Sequence, residues 1–127
     1  KLPASIFDEV MALPYHIYTL AARKGLLGIE NATMKQLGLR PSTEPYAAPI
    51  ARIVAEKHGA VWGLGESGAT GPTGNRYGDA AGHAAIAIAG PKARTMTVET
   101  GSPDREANMR RFGEAALRAL VEALEAA

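Results

Sequence analysis

The residues best suited to chemistry stand in one run, "GLGESGATGPTGNRYGDAAGH", from Gly63 to His83. Ser67, Thr70 and Thr73 offer hydroxyls, Arg76 a fixed cation, and Tyr77, Asp79 and His83 a phenol, a carboxylate and an imidazole. Seven of the chain's fourteen glycines are interleaved with them, so much of the backbone here is unscreened by side chains. Successive N–H groups in such a stretch can form a concave donor set around a phosphate or carboxylate, with Gly68, Gly71 and Gly74 giving access and the hydroxyls adding donors. The same composition also serves a surface loop whose glycines only make turns, and the residues alone leave both readings open.

Three better-known glycine motifs are excluded. Gly63, Gly65 and Gly68 spell G-x-G-x-x-G, but a dinucleotide turn needs a helix directly after the last glycine and an acidic residue about 20 positions on. Here "ATGPTG" follows, which does not start a helix, and Ile86 and Ile88 stand where the acid is required. No G-x-x-x-x-G-K-[ST] occurs, and around Ser67 the second glycine of a nucleophile elbow comes one position early. His83 precedes an apolar strand with no second ligand at metal spacing and reads as a hydrogen-bonded structural histidine, so no metal and no cofactor are expected.

The elements that must position this run follow from periodicity. "SIFDEVMAL" spaces Ile6, Val10 and Leu13 as a helix over 5–13, a short strand is expected near Tyr15 to Tyr18, and a helical patch should end at Gly25 or Gly28. A helix over 43–58 carries the stripe Tyr46, Ala47, Ile50, Ile53, Val54, with Ser42 or Thr43 as N-cap and Gly59 just past its end. "AVWGLGES", "GHAAIAIAG" and "ARTMTVETG" have strand character, with the glycine loop between the first two. The closing helix has Ser102 as cap, Pro103 in its first position and the stripe Met109, Phe112, Ala116, Leu120, Leu124. Helices flanking small-residue strands imply a layered α/β domain.

Size and charge narrow the function classes. At 127 residues the chain is one domain's worth. Fourteen basic and thirteen acidic residues, spread along the chain, give a formal charge of +1 and no electrostatic footprint for nucleic acid. The absence of cysteine removes thiolate chemistry and disulfides and fits a reducing compartment. No apolar run reaches the roughly 18 residues of a membrane span, and no leader is seen, so a cytoplasmic protein without membrane contact is expected.

At the glycine loop the sequence resembles the CinA C-terminal domain family, which includes nicotinamide mononucleotide deamidases. "SGATGPTG", Ser67 to Gly74, is similar to that family's "TGIAGPTGG" loop, with Ser67 in place of threonine. "YTLAARKGLLGI" resembles "YSNEAKxxLLGV", "GHAAIAIAGP" resembles "GTVWIAVAGP", and "GSPDRE" before a long helix resembles "GDRE" with its terminal helix. The resemblance covers roughly residues 15–127 and implies a three-layer α/β/α sandwich around a mixed sheet, usually oligomeric. It also implies hydrolysis of the carboxamide of nicotinamide mononucleotide to nicotinate mononucleotide and ammonia.

Carried over by matching position, the resemblance makes Tyr18 and Ser67 hydroxyl donors at the reacting amide and puts Arg105 on the phosphate. Gly68, Thr70, Gly71, Thr73, Gly74 and Arg76 then belong to the substrate loop. The family's catalytic lysine falls at Arg23, which stays protonated at neutral pH, so Lys24 becomes the candidate base, turned about 100 degrees around the helix. The family's "AESCTGG" segment with its serine nucleophile is not found in these residues, and Ser5 in "PASIF" lacks its glycines. The domain is therefore expected to be incomplete at its N-terminus, its sheet completed by a partner chain or by self-association. The alternative expectation is a catalytically inactive nucleotide-binding or assembly module.

Overall fold

Small side chains set the spacing of this fold. The structure, a computed structural model, describes Ile17 and residues 20–127. The helix expected over 5–13, and the strand expected near Tyr15 to Tyr18 apart from Ile17, lie outside the described residues. Along the chain run α1 (Leu20–Leu27), α2 (Asn31–Gln36), α3 (Glu44–Lys57), β1 (Gly63–Ala69), β2 (His83–Ala89), β3 (Arg94–Glu99) and α4 (Arg105–Glu125). The helical patch ends at Gly28, whose positive φ of 69° is reached most easily by glycine. The short helix α2 has no counterpart among the sequence-based expectations.

The three strands lie in the order β1-β2-β3, and both pairings are antiparallel among the described residues. Ser67 is opposite Ala85, which is opposite Thr97, and Gly65, Ala87 and Thr95 form the next row. Alternation along a strand therefore puts Gly63, Gly65, Ser67, His83, Ala85, Ala87 and Glu99 on one face and Leu64, Ile86, Ile88 and Met96 on the other.

Each face takes one helix. On the first, Ala47 and Ala51 of α3 meet Ala85 and Ala87, all at most 1% exposed. A Cβ added to Gly65 would come within 2.8 Å of the Ala47 carbonyl oxygen, and one on Gly63 would run into the Ala51 carbonyl. Glycine opposite alanine thus lets the helix backbone approach the strand backbone closely. On the second face Ala119, Leu120 and Ala123 of α4 cover Ile88, flanked by Trp62 and Leu64. These are three layers, helix on sheet on helix.

Two helical stripes are rotated from the sequence-based reading. In α3 the buried positions are Tyr46, Ala47, Ala51 and Ala55, because the close approach admits alanine where Ile50 and Ile53 do not fit. In α4, Met109 is exposed and Asn108 buried in its stead. The cap of α4 is also displaced: Asp104 is the N-cap and accepts from the Ala107 amide, while Ser102 Oγ accepts from the Asp104 amide one step upstream.

Candidate ligand-binding site

The first site residue, Ser67, lies on β1 and not in the loop. It faces the start of α3, and its Oγ accepts from the Ser42 amide at 3.0 Å. A hydroxyl that accepts one bond still has its own hydrogen to donate. Ser42 is buried with φ of 64°, a conformation that turns the chain sharply into the Thr43 N-cap. Its carbonyl oxygen lies 2.7 Å from Nε2 of His83, while Nδ1 of His83 meets the Glu99 carboxylate.

That arrangement favours the charged form of His83. A carbonyl has no proton to give, so Nε2 must donate to it; a carboxylate at Nδ1 favours a proton there too. Burial pushes the His83 pKa down, but the bonds to Glu99 and the Ser42 carbonyl, with the charge of Asp79, outweigh it and raise the pKa above the ordinary value. With Nε2 on the Ser42 carbonyl and Nδ1 on Glu99, both ring nitrogens are engaged within the protein, so His83 is placed as an anchor and not as a general base.

Asp79 completes the cluster. Arg40 donates to both of its oxygens, at 2.7 and 3.3 Å, and Asn75 Nδ2 donates at 2.8 Å. The Arg40 hydrogen bond first, then that of Asn75, lower the Asp79 pKa to about 2. Asn75 also folds the loop on itself, its Oδ1 accepting from the amides of Tyr77 and Asp79. Gly74 fits against this turn, since a Cβ there would run into the Asp79 carbonyl.

The loop after β1 is pinned at its other end to α4. Arg105 Nη1 donates to Thr70 Oγ1 at 2.9 Å and to the Gly71 carbonyl at 3.2 Å. Asn108, fully buried, donates to the carbonyls of Thr70 and Ser102 and accepts from Thr100 Oγ1. The Gly71-Pro72 peptide is cis, and Thr73 is exposed. Arg76, also exposed, donates to the Tyr77 hydroxyl and stacks 5.1 Å from its ring.

The structure thus brings Thr70, Gly71 and Arg105 into contact and ties Ser67 to the turn before α3. It narrows the anion nest expected from Ser67 to Gly74: Ser67 and Gly68 are strand residues, and Gly68 is required because a Cβ would run into the His83 carbonyl and Ala84. Lys24 is set apart, 64% exposed and ion-paired with Glu30 at 3.0 Å. Its neighbour Arg23 points inward and is 4% exposed. Tyr18 lies outside the described residues.

Sequence reasoning passed over Arg40, Ser42, Glu99 and Asn108 as site builders. The sequence marks Ser42 only as a helix cap, and nothing local marks Arg40 as the partner of Asp79, 39 residues away. Asn75 carries a readable signal, an asparagine beginning a polar turn. Among the described residues no group of His, Asp and Glu is arranged to hold a metal ion, and no helix is long and apolar enough to cross a membrane.

An α/β/α domain with a glycine- and hydroxyl-bearing loop clamped to the first residue of its last helix is the class of protein that fold and site define. Residues 9–124 match the family described as the CinA C-terminal domain, and the chain belongs to that family. It is 35% identical over 106 residues to a CinA-like protein of Chlorobium limicola, covering 80% of this chain and 24% of that protein. To a CinA-like protein of Anaeromyxobacter dehalogenans it is 30% identical over 117 residues, covering 92% and 28%. The chain therefore spans about a quarter of the length of these curated relatives.

Solved structures agree on the fold. A CinA superfamily protein from Klebsiella pneumoniae superposes with a TM-score of 0.74 at 21% identity, over 87% of this chain and 68% of that one. One from Enterobacter cloacae gives 0.72 at 25% identity, over 85% and 63%.

Proposed function

We propose that the chain provides the nucleotide-binding part of an amide hydrolase that converts nicotinamide mononucleotide to nicotinate mononucleotide and ammonia. The observation that carries this reading is the clamp of Arg105 on Thr70 and Gly71, at the end of the strand that bears Ser67. It joins an arginine, a threonine hydroxyl and a turn of glycine backbone just past the strand that bears Ser67, a donor set suited to a phosphorylated carboxamide. Ser67 keeps a hydrogen to donate to the amide oxygen, Arg105 supplies charge for the phosphate, and Lys24 is the candidate base.

One observation favours a second reading, a binding module without chemistry. Lys24 is ion-paired at the surface, and the inward position beside it holds Arg23, which does not give up a proton. Calorimetric titration with nicotinamide mononucleotide, run beside an ammonia-release assay, separates the two. Under the hydrolase reading the protein binds and, assayed together with the serine-bearing segment, releases ammonia, and Arg105→Ala weakens binding about tenfold, ~1.4 kcal/mol. Binding without ammonia establishes the module; no binding, or binding indifferent to Arg105→Ala, overturns both.

A further inference from the structure

A second cationic site lies away from the Arg105 clamp, in a cleft of about 210 Å³ between α2 and the Arg76–Tyr77 turn. Its described lining includes Arg23, Lys35, Arg40 and Arg76, with Asn31 and Tyr77, and no carboxylate. Arg40 is already neutralised by Asp79. Neither Lys35 nor Arg76 has an ion pair among the described residues.

Arg23 is the unusual member. It is 4% exposed, its Nη2 reaches Asn31 Oδ1 at a long 3.3 Å, its guanidinium lies 6.0 Å from the Tyr46 ring, and its Nε has no hydrogen-bond partner among the described residues. A guanidinium does not escape burial by losing its proton, and a buried charge without a counter-ion is costly. A donor held unused at the wall of a cleft whose Arg23, Lys35 and Arg76 have no ion pair among the described residues is a place for an external dianion.

We infer that this cleft binds a phosphate group, as inorganic phosphate or as a phosphate monoester. Three cations match the charge of about −1.5 to −2 on a monoester better than a single carboxylate, and arginine forks fit phosphate oxygens in pairs. The cleft is smaller than the roughly 300 Å³ and upward of drug-sized ligand sites, which suits the phosphoryl end of a molecule. The inference goes beyond the amide-hydrolase reading: it shares Arg76 with the substrate loop, and Arg23 stands where the resemblance puts the family's lysine, but the cleft uses no residue of the Arg105 clamp, so Arg105→Ala tells the two apart.

The test uses inorganic phosphate as probe, followed by calorimetry and by 31P line broadening at low salt. Saturable binding is expected, weakened at least about tenfold, ~1.4 kcal/mol, in Lys35→Ala/Arg76→Ala and changed less than about twofold by Arg105→Ala. Both substituted residues in the double variant are exposed, so it leaves the fold intact. Arg23→Met is expected to melt no lower than the parent without phosphate and to lose the rise in Tm that phosphate gives the parent.

Competition then tells the sources apart: nicotinamide mononucleotide displacing phosphate where ribose 5-phosphate does not identifies the nucleotide, and equal displacement identifies phosphate monoesters generally. The inference is overturned by no saturable binding below roughly 10 mM, by unchanged affinity in the double variant, or by binding that Arg105→Ala abolishes.

Discussion

The two halves of the glycine-rich run look alike in composition, but only the second also needs glycine for its backbone angles. In Gly63–Ala69 the glycines stand where another part of the protein comes too close for a side chain: the α3 backbone over Gly63 and Gly65, and β2 beside Gly68. In residues 70–82 Gly71, Gly78 and Gly82 have positive φ where the chain turns, while Gly71, Gly74 and Gly82 also lie close to Pro103, Asp79 and Thr100, so Gly78 alone among the four is held by its angle without a close neighbour. The first half is scaffold and the second is a surface loop tied down at both ends. A glycine count marks the region without telling the two roles apart.

The contrast breaks most sharply at Gly63. A methyl group there faces the Ala51 carbonyl and lies 3.0 Å from Ala55 Cβ, and neither can rotate away. Gly63→Ala should destabilise the protein by about 3 kcal/mol through overpacking, read as a lowered urea midpoint at unchanged slope. A loss well under 1 kcal/mol would show that α3 lifts off the strand at little cost, and the distinction between the halves would fail.

The junction between the halves gives a smaller effect and a pH signature. His83 closes the loop onto β2 through the Ser42 carbonyl and Glu99, with a pKa raised above its ordinary value. Its contribution is complete below the unfolded pKa near 6.5 and is lost as pH rises through the higher folded value. Asp79 has the opposite sign: held at about 2, it contributes fully above the unfolded carboxylate range near 4 and loses this as pH falls toward 2. Stability should therefore plateau between about pH 4 and 6.5 and fall on either side. His83→Gln should cost about 2 kcal/mol at pH 6 and flatten the alkaline limb, measured by urea unfolding across pH. An alkaline limb unchanged in His83→Gln would assign it to another group.

How much of this was legible in the sequence depended on the range of the interaction. The strands of β2 and β3, the long helices and the family likeness rest on local pattern, and each appears in place. The polar cluster was not legible, because Arg40 and Asp79, or Ser42 and Ser67, meet only after α3 is laid across the sheet. The helix stripes were misjudged for a related reason: hydrophobicity favours Ile50 and Met109, whereas close packing selects Ala51, and the polar needs of the loop select Asn108. The break between scaffold and loop within the glycine run was hidden too, since sterics from Ala47 and Ala51 decide it.

The gentlest test lies at Gly78, where nothing lies within 4 Å of an added Cβ and φ is 96°. Only the backbone conformation resists a side chain, so Gly78→Ala should cost about 1 kcal/mol, clearly less than Gly63→Ala. Asparagine, which tolerates positive φ better than other residues with a Cβ, sharpens the point. Gly78→Asn should recover part of the alanine loss, whereas at Gly63 the larger side chain should do worse than alanine because the obstacle there is an atom and not an angle. Thermal melts of the four variants read this as a crossed pattern, and equal ranking of Ala and Asn at both positions would mean that one cause governs both halves of the run.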